Sequence, residues 1–354
     1  MSDLNAYSYY RKSEGLRDFW YPACWSKDLS PKRPTAAKVL SVPLVLWRDS
    51  MGRARAFLDV CPHRQAPLSC GRLVGENIAC PYHGWTFSIE GQCVKIPAGD
   101  PEKKPKARLR SLPTFESGGQ TWVWMGEKRP GQSLPYMEGL RADQGWSTVR
   151  LQQSFAVEVG DLIENFMDGP HTAFVHTGII RTPAEPRPRK VRVSGDQSGL
   201  KVDHEPSVEH LPLLRLIGKK GPVQVRHTDA FWAPTNVKVD YWLGEDEPSF
   251  SALIAMAPNG PCQTEVFVSV SVRLGALNKP ASLGLGLLAR HILKQDANIL
   301  ALQRRNLEAL SERPTVSVES DYPDIQIRAL RDWLRKPSTE EPFVVKAREF
   351  TLYL

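Results

Sequence analysis

Four residues between Cys61 and His83 have the types and spacing to hold a metal. They fall in two half-sites, Cys61-Pro62-His63 and Cys80-Pro81-Tyr82-His83, with 16 residues between them. Cysteine thiolates and neutral imidazoles ligate zinc as readily as iron, so the donor set alone leaves the metal open. The spacing says more. Cys-x-His and Cys-x-x-His differ from the Cys-x2–4-Cys and His-x3–5-His pairs of zinc fingers. A 2Fe-2S cluster with two Cys on one iron and two His on the other would take one of each from each loop. The Pro after each Cys and Gly84 after His83 suit tight loops whose N–H groups could bond cluster sulfides.

A second constellation begins at Asp161, in DLIENFMDGPHTAFVHTG. Leu162, Ile163, Phe166 and Met167 form an apolar stripe at helical spacing, and Asp161, Glu164, Asn165 and Asp168 line another side. His171 and His176 follow, five residues apart. In an unbroken helix that step carries the chain about 140° past a full turn, so the two would not share a face. Gly169-Pro170 supplies a break that could bring them together. Two His and one carboxylate make the facial triad of non-haem Fe(II), with positions left open for O2. Asp296 is the best carboxylate: it is the only acid between Glu265 and Glu308, and it sits mid-helix among Ile292, Leu293, Ile299 and Leu300. A lone acid beside an apolar stripe is more often a solvated residue at its edge; the His pair turns the reading toward a ligand. Asp161 and Glu164 are rivals on the wrong side of the Gly-Pro break. Asn165 is as readily a partner for nearby backbone as a site residue. His204, His210, His227 and His291 show no ligand spacing and are expected to be structural or exposed. Cys70 has no place among the cluster ligands.

The elements that must position these residues fall in two parts. Leu44 to Trp47 and Ala54 to Val60 flank a turn at Asp49–Gly52, Trp85 to Ile89 and Cys93 to Ile96 flank Glu90-Gly91-Gln92, and Gln120 to Met125 carries two Trp in alternation. Short strands with Gly and Pro turns imply a small all-β domain with the four donors on loops at one end. Pro-rich, polar text from Glu127 to Gly145 reads as a passage, so the expected domains are 1–135 and 136–354. The second opens with a strand at Leu151 to Glu158 and the short helix. Strands follow near Val191, Lys201 and Val223, and at Asn236 to Leu243, Phe250 to Ala257 and Thr264 to Leu274. In the last, Val266, Val268, Val270 and Val272 alternate with other residues, as in an antiparallel strand with one buried face. A long helix over Ser282 to Leu310 and a shorter one over Asp324 to Arg335 complete an α+β domain, a curved antiparallel sheet covered by helices.

The two motifs together resemble the Rieske non-haem iron oxygenases, and the likeness spans nearly the whole chain. Cys61, His63, Cys80 and His83 match that family's cluster motif. Asn165-x-x-Asp168-x-x-His171-x4-His176 matches its mononuclear-iron motif, and Gln295-Asp296 the late helix that supplies the carboxylate, with Gln where the family usually has Glu. The resemblance implies an all-β Rieske domain ahead of a helix-grip-like catalytic domain, a 2Fe-2S cluster, a mononuclear Fe(II) and O2 as co-substrate. It implies a head-to-tail homotrimer in which Asp168 bridges a ligand His to His83 of the next subunit. It also implies a terminal oxygenase, with electrons reaching it from NAD(P)H through a separate ferredoxin or flavin reductase. The compact chain is similar to the monooxygenase and demethylase branch, so hydroxylation or oxidative dealkylation of a small aromatic or polycyclic substrate is expected. A cis-dihydroxylating dioxygenase, a plain electron carrier and a zinc-stabilised module are the alternatives.

Composition bounds the rest. The chain has 354 residues, 41% hydrophobic content and ten Trp, enough for one large core or two ordinary ones. Of six Cys, the four outside the cluster motif lack a framework spacing, so free thiols in a reducing cytoplasm are expected. No signal-peptide core opens the chain, and Leu283 to Leu293 is too short to span a bilayer, so a soluble protein is expected. A net charge of +7 gathers in two runs, Lys103, Lys104, Lys106, Arg108 and Arg110, then Arg187, Arg189, Lys190 and Arg192. Both read as solvated faces, with steering of an acidic redox partner as a further use. No nucleic-acid motif accompanies the charge. Gly284 to Ala289 spells G-x-G-x-x-A but no strand leads directly into it, so close helix packing accounts for it better than a dinucleotide site. Pocket walls are expected from Phe231, Trp232, Tyr241, Trp242 and Phe250.

Overall fold

The computed structural model describes residues 16–100, 106–131, 145–180, 187–209, 221–243, 248–275, 278–310, 316–336 and 342–353. The chain divides near Pro135 into two compact units, with Ala257–Pro261 grouped with the first. The expected passage between domains, Lys103, Lys104 and His210 lie at least partly outside the described residues.

The first unit is built from short antiparallel strands in three small sheets. One holds β1 (Phe19–Trp25), β10 (Thr114–Ser117) and β11 (Gln120–Met125). A second holds β2 (Thr35–Val39), β3 (Val42–Arg48), β4 (Ala54–Leu58) and β9 (Ser111–Leu112). The third joins β5 (Arg72–Val74), β6 (Asn77–Ala79), β7 (Thr86–Phe87) and β8 (Cys93–Lys95). β3 and β4 form the expected hairpin, and Asp49 fixes its turn by accepting from the Met51 and Arg53 amides and from the Arg53 and Arg55 guanidinium groups. β7 is shorter than its sequence suggests, because the turn already begins at Ser88, whose carbonyl accepts from the Gly91 amide at 2.8 Å. β11 is buried on both faces. Trp47 stacks on Phe57 in a core that also contains Cys61 and Cys80.

The second unit is one eight-stranded antiparallel sheet in the order β12-β18-β17-β16-β15-β14-β13-β19. These strands are β12 (Ser147–Phe155), β13 (Pro188–Asp196), β14 (Gly199–Glu209), β15 (Val223–Trp232), β16 (Asn236–Trp242), β17 (Phe250–Gly260), β18 (Gln263–Val272) and β19 (Arg348–Tyr353). Among the described residues three α-helices accompany it: α1 (Val159–Met167), α2 (Asn278–Ala309) and α3 (Tyr322–Arg335). α2 lies against β12 and β18, and α1 against β15 and β16.

β12 ends at Phe155, three residues short of the expected Glu158, because Glu158 is the N-cap of α1. α2 starts four residues before Ser282, since Pro280 fits a first helical turn, where its missing N–H costs nothing. β18 departs from the expected single buried face: Phe267, Ser269 and Ser271 are as buried as the Val residues between them. The short Ser side chains fit under cover, and the Ser271 hydroxyl pairs with Thr148 across the ladder at 2.8 Å. Gly286 faces Val149, whose Cγ1 would lie 2.9 Å from an added Cβ, so this glycine allows helix and sheet to approach. Gly284 faces open space and has no such role. No helix among the described residues is long and apolar enough to cross a membrane.

Candidate active site

The two half-sites of the first unit are built as one turn used twice. The Cys61 amide donates to the Ala66 carbonyl at 2.9 Å, and the Cys61 carbonyl accepts from the Gln65 amide at 2.9 Å. The Cys80 amide likewise donates to Trp85 at 2.8 Å, and its carbonyl accepts from Gly84 at 3.1 Å. Both turns need a residue at positive φ at the same place, Gln65 at 55° and Gly84 at 70°. Asp59 anchors the first loop by accepting from the Ser69 amide at 2.7 Å. The cysteines are buried and His83 is exposed; the His63 and His83 rings lie 4.6 Å apart, and His63 stacks on Trp85 at 4.5 Å.

Burial, with Cys80 beside it, pushes the Cys61 thiol up to about 11. Two adjoining buried thiols are poor neighbours as free anions, and a cation is what makes their ionised form favourable. His63 Nδ1 is also buried without a hydrogen-bond partner. A pair of buried cysteines and a pair of neighbouring imidazoles, one of each per loop, fits a 2Fe-2S cluster. Cys70 is exposed and apart from this set.

In the second unit α1 stops where the text breaks it. Asp168 caps the helix with its amide on the Glu164 carbonyl at 3.0 Å, and Pro170 opens a short 3-10 turn, Pro170–Ala173. The change of pitch turns His171 and His176 toward each other, with ring centroids 5.2 Å apart and planes at 74°. α2 brings Asp296 between them. Its buried stripe runs Leu285, Leu293, Asp296, Leu300, so the acid occupies an apolar position, only 1% exposed, rather than the stripe's solvated edge. Asp296 Oδ1 lies 3.0 Å from His176 Nε2 and 3.6 Å from His171 Nε2. Neither contact has hydrogen-bond geometry, which leaves Oδ1 a buried acceptor without a partner. Burial raises the Asp296 carboxyl, but the two imidazoles prevail and hold it at about 2.

The other ring nitrogens are occupied. His176 Nδ1 donates to Gln295 Oε1 at 3.0 Å, and His171 Nδ1 to the Asp168 carbonyl. Both rings therefore turn Nε2 toward Asp296, the tautomer a metal ligand requires. An orphaned carboxylate oxygen facing two crossed imidazoles could hold a divalent ion. Gln295 fills the acceptor role that Glu would serve. Asn165 Nδ2 is buried without a hydrogen-bond partner. The rivals are placed elsewhere: Glu164 pairs with Arg328 at 3.0 Å, and Asp161 is buried in the first turn of α1.

These residues border an apolar cavity of about 220 Å³. Of the five expected wall residues, Tyr241 and Phe250 line it. Strand alternation turns Trp232 and Trp242 to the other face, where Arg226 covers the Trp242 ring at 4.1 Å, and Phe231 belongs to the core.

Sequence profiles of two domains match the chain: the Rieske 2Fe-2S domain over residues 19–116, and the vanillate O-demethylase oxygenase C-terminal domain over 156–336. The chain belongs to the Rieske oxygenases. This Rieske oxygenase is 33% identical over 252 residues to the oxygenase component of dicamba O-demethylase from Stenotrophomonas maltophilia, covering 69% of each chain. It is 37% identical over 168 residues to a chloroplastic chlorophyllide a oxygenase from Chlamydomonas reinhardtii, of which it spans only 25%. The crystal structure of dicamba monooxygenase bound to dicamba superposes with a TM-score of 0.78 at 25% identity, over 92% of this chain and 99% of that one. As a member of this family the Rieske oxygenase is an oxidoreductase with a Rieske 2Fe-2S domain, and His171, His176 and Asp296 form a candidate site for non-haem iron.

One part of the site escaped the sequence. His204 and His227, expected to be structural or exposed without ligand character, are buried around Asp229. His227 and Asp229 alternate on one strand face, and His204 is the cross-strand partner of His227. The His-x-Asp spacing was a readable hint; the β14–β15 register that delivers His204 was not. His291 is exposed, as expected.

Proposed function

We propose that this chain is a terminal oxygenase that hydroxylates or oxidatively demethylates a small aromatic substrate. The supporting observation is the orphaned Asp296 Oδ1 facing His171 and His176 on the border of an apolar cavity, in a chain that also carries the two Cys-His loops. Cys61, His63, Cys80 and His83 would hold the 2Fe-2S cluster, and His171, His176 and Asp296 the ferrous ion. When bound, the cluster passes single electrons and the ferrous ion activates O2.

The chain's own residues do the rest. Gln295 and the Asp168 carbonyl fix the tautomers of the two ligand imidazoles. Val268, Val270, Leu285 and Ile292 give the cavity dry walls that keep a planar substrate beside the ligand set. The electron donor is a ferredoxin or flavin reductase drawing on NAD(P)H. We assign a head-to-tail homotrimer, in which Asp168 bridges His171 to His83 of the next subunit. That role is supported by a carboxylate 3.8 Å from His171 Nδ1 and still 39% exposed. Six unbridged cysteines support a reducing, cytoplasmic setting.

Metal analysis of reconstituted protein tests the reading. One iron beyond the pair in the cluster is expected, together with oxygen uptake coupled to formaldehyde release from aryl methyl ethers. Protein holding cluster iron alone would reduce it to an electron carrier. Asp168→Asn should keep both metals and slow single-turnover reduction; an unchanged rate refutes the bridge.

A further inference from the structure

The cluster around Asp229 repeats the composition of the first, two His and one Asp, and it also borders the cavity. Its geometry differs. His204, His227, Tyr241 and Phe250 are successive cross-strand partners, forming one register row across β14, β15, β16 and β17. Their side chains consequently stand side by side on one face of the sheet. His204 stacks on His227 at 4.4 Å with planes 16° apart, and His227 on Tyr241 at 4.3 Å with planes 6° apart.

Parallel stacking argues against a second metal. An imidazole nitrogen holds an ion in the plane of its ring, and two stacked rings have no common in-plane point near both Nε2 atoms. The carboxylate already satisfies them instead: Asp229 Oδ2 accepts from His204 Nε2 at 3.0 Å, and Oδ1 from His227 Nε2 at 2.8 Å. Burial would raise the Asp229 carboxyl, yet the two imidazoles hold it well below the usual carboxylate range, so it is an anion. An ionised carboxylate has about four lone-pair sites, and two remain after the imidazoles are served. Asp229 is 4% exposed and lines the cavity, whose other polar side chains away from the Asp168–His176 segment and Asp296 are His227, Tyr241 and Ser249.

We propose that Asp229 is the specificity-determining residue of the cavity, accepting a hydrogen bond from a phenolic O–H or ring N–H of the aromatic substrate while His204 and His227 hold it in place. A site built around a buried acceptor rejects an analogue without the donor strongly, because the acceptor is then left unmatched. It also rejects a carboxylate, which would set a second anion beside Asp229 in a low-dielectric pocket. The inference rests on the cavity being the substrate site of the proposed oxygenase.

Three probes read it by calorimetric binding to the iron-replete protein without an electron donor: 2-methoxyphenol, 1,2-dimethoxybenzene and 2-methoxybenzoate. The phenol should bind at least tenfold tighter than either of the others. Asp229→Asn should shrink that gap below threefold, whereas Tyr241→Phe, which removes a rival hydroxyl from the cavity lining, should leave it in place. Three results overturn the proposal: no advantage for the phenol in the unaltered protein, including no binding of any probe; tightest binding of 2-methoxybenzoate; or a gap that survives Asp229→Asn and vanishes in Tyr241→Phe. The unaltered protein decides even if Asp229→Asn does not fold. Formaldehyde release is measured separately, so a donor preference without turnover would sink the demethylase reading and leave this one standing.

Discussion

Two clusters of the same three side chains, His171–His176–Asp296 and His204–His227–Asp229, stand in one domain and border one cavity. What separates them is the backbone beneath. The first pair comes from a broken helix, where a change of pitch crosses the ring planes at 74° and leaves a carboxylate oxygen unmatched. The second pair comes from neighbouring strands, where the ladder sets the rings parallel at 16° and each imidazole spends its Nε2–H on the carboxylate. Crossed rings with an orphaned oxygen invite a cation; stacked rings that each commit an Nε2–H to the carboxylate do not. Residue composition is therefore a poor guide to a metal site unless the element carrying the residues is known.

The comparison can be broken most directly at its first member. Asp296→Ala should drop turnover below one hundredth of the starting value and abolish the mononuclear iron, while the visible spectrum of the cluster stays intact. Retained iron would remove the distinction between the clusters. Asp229→Ala should do the reverse, keeping full iron content while costing about 3–5 kcal/mol of stability in chemical denaturation, since it leaves two buried imidazoles without their acceptor. Loss of iron in that variant would make the second cluster a ligand set as well.

Gln295→Ala sharpens the contrast by freeing His176 Nδ1. Removing such an outer partner weakens metal affinity about 10–100-fold, measurable by competition with a chelator. The smallest effect is expected at Asp324 on α3, whose carboxyl is pushed up to about 8 by burial and by the nearby Glu164 and Asp168. A carboxyl that binds its proton more tightly when folded contributes stability that is complete below the unfolded pKa near 4. That contribution is lost as pH rises through about 8. Asp324→Asn should therefore raise the melting temperature at pH 8 and have little effect at pH 4. An equal shift at both values would contradict the titration.

Much of this was legible in the text. The Cys-Pro and Gly84 signals located both cluster loops, since tight turns depend on local residue choice. The Gly169-Pro170 break and the isolated Asp296 predicted a His pair and its distant carboxylate, because helical spacing fixes which neighbours share a face. The Asp229 cluster and the true cavity walls were hidden for a complementary reason. They depend on strand register, and a slip of one residue would turn every side chain to the other face without altering the local pattern. For the same reason the alternation of β18 suggested one buried face: period two reports that faces differ, not whether both are covered.

The sequence by itself determined which donors exist, where the chain must turn, and that two kinds of iron chemistry were within reach. Only the tertiary structure decided how the imidazole planes meet, and which acid faces them with an orphaned oxygen and which accepts their N–H groups. Ligand geometry is a relation between elements far apart in the chain, and no local pattern encodes it.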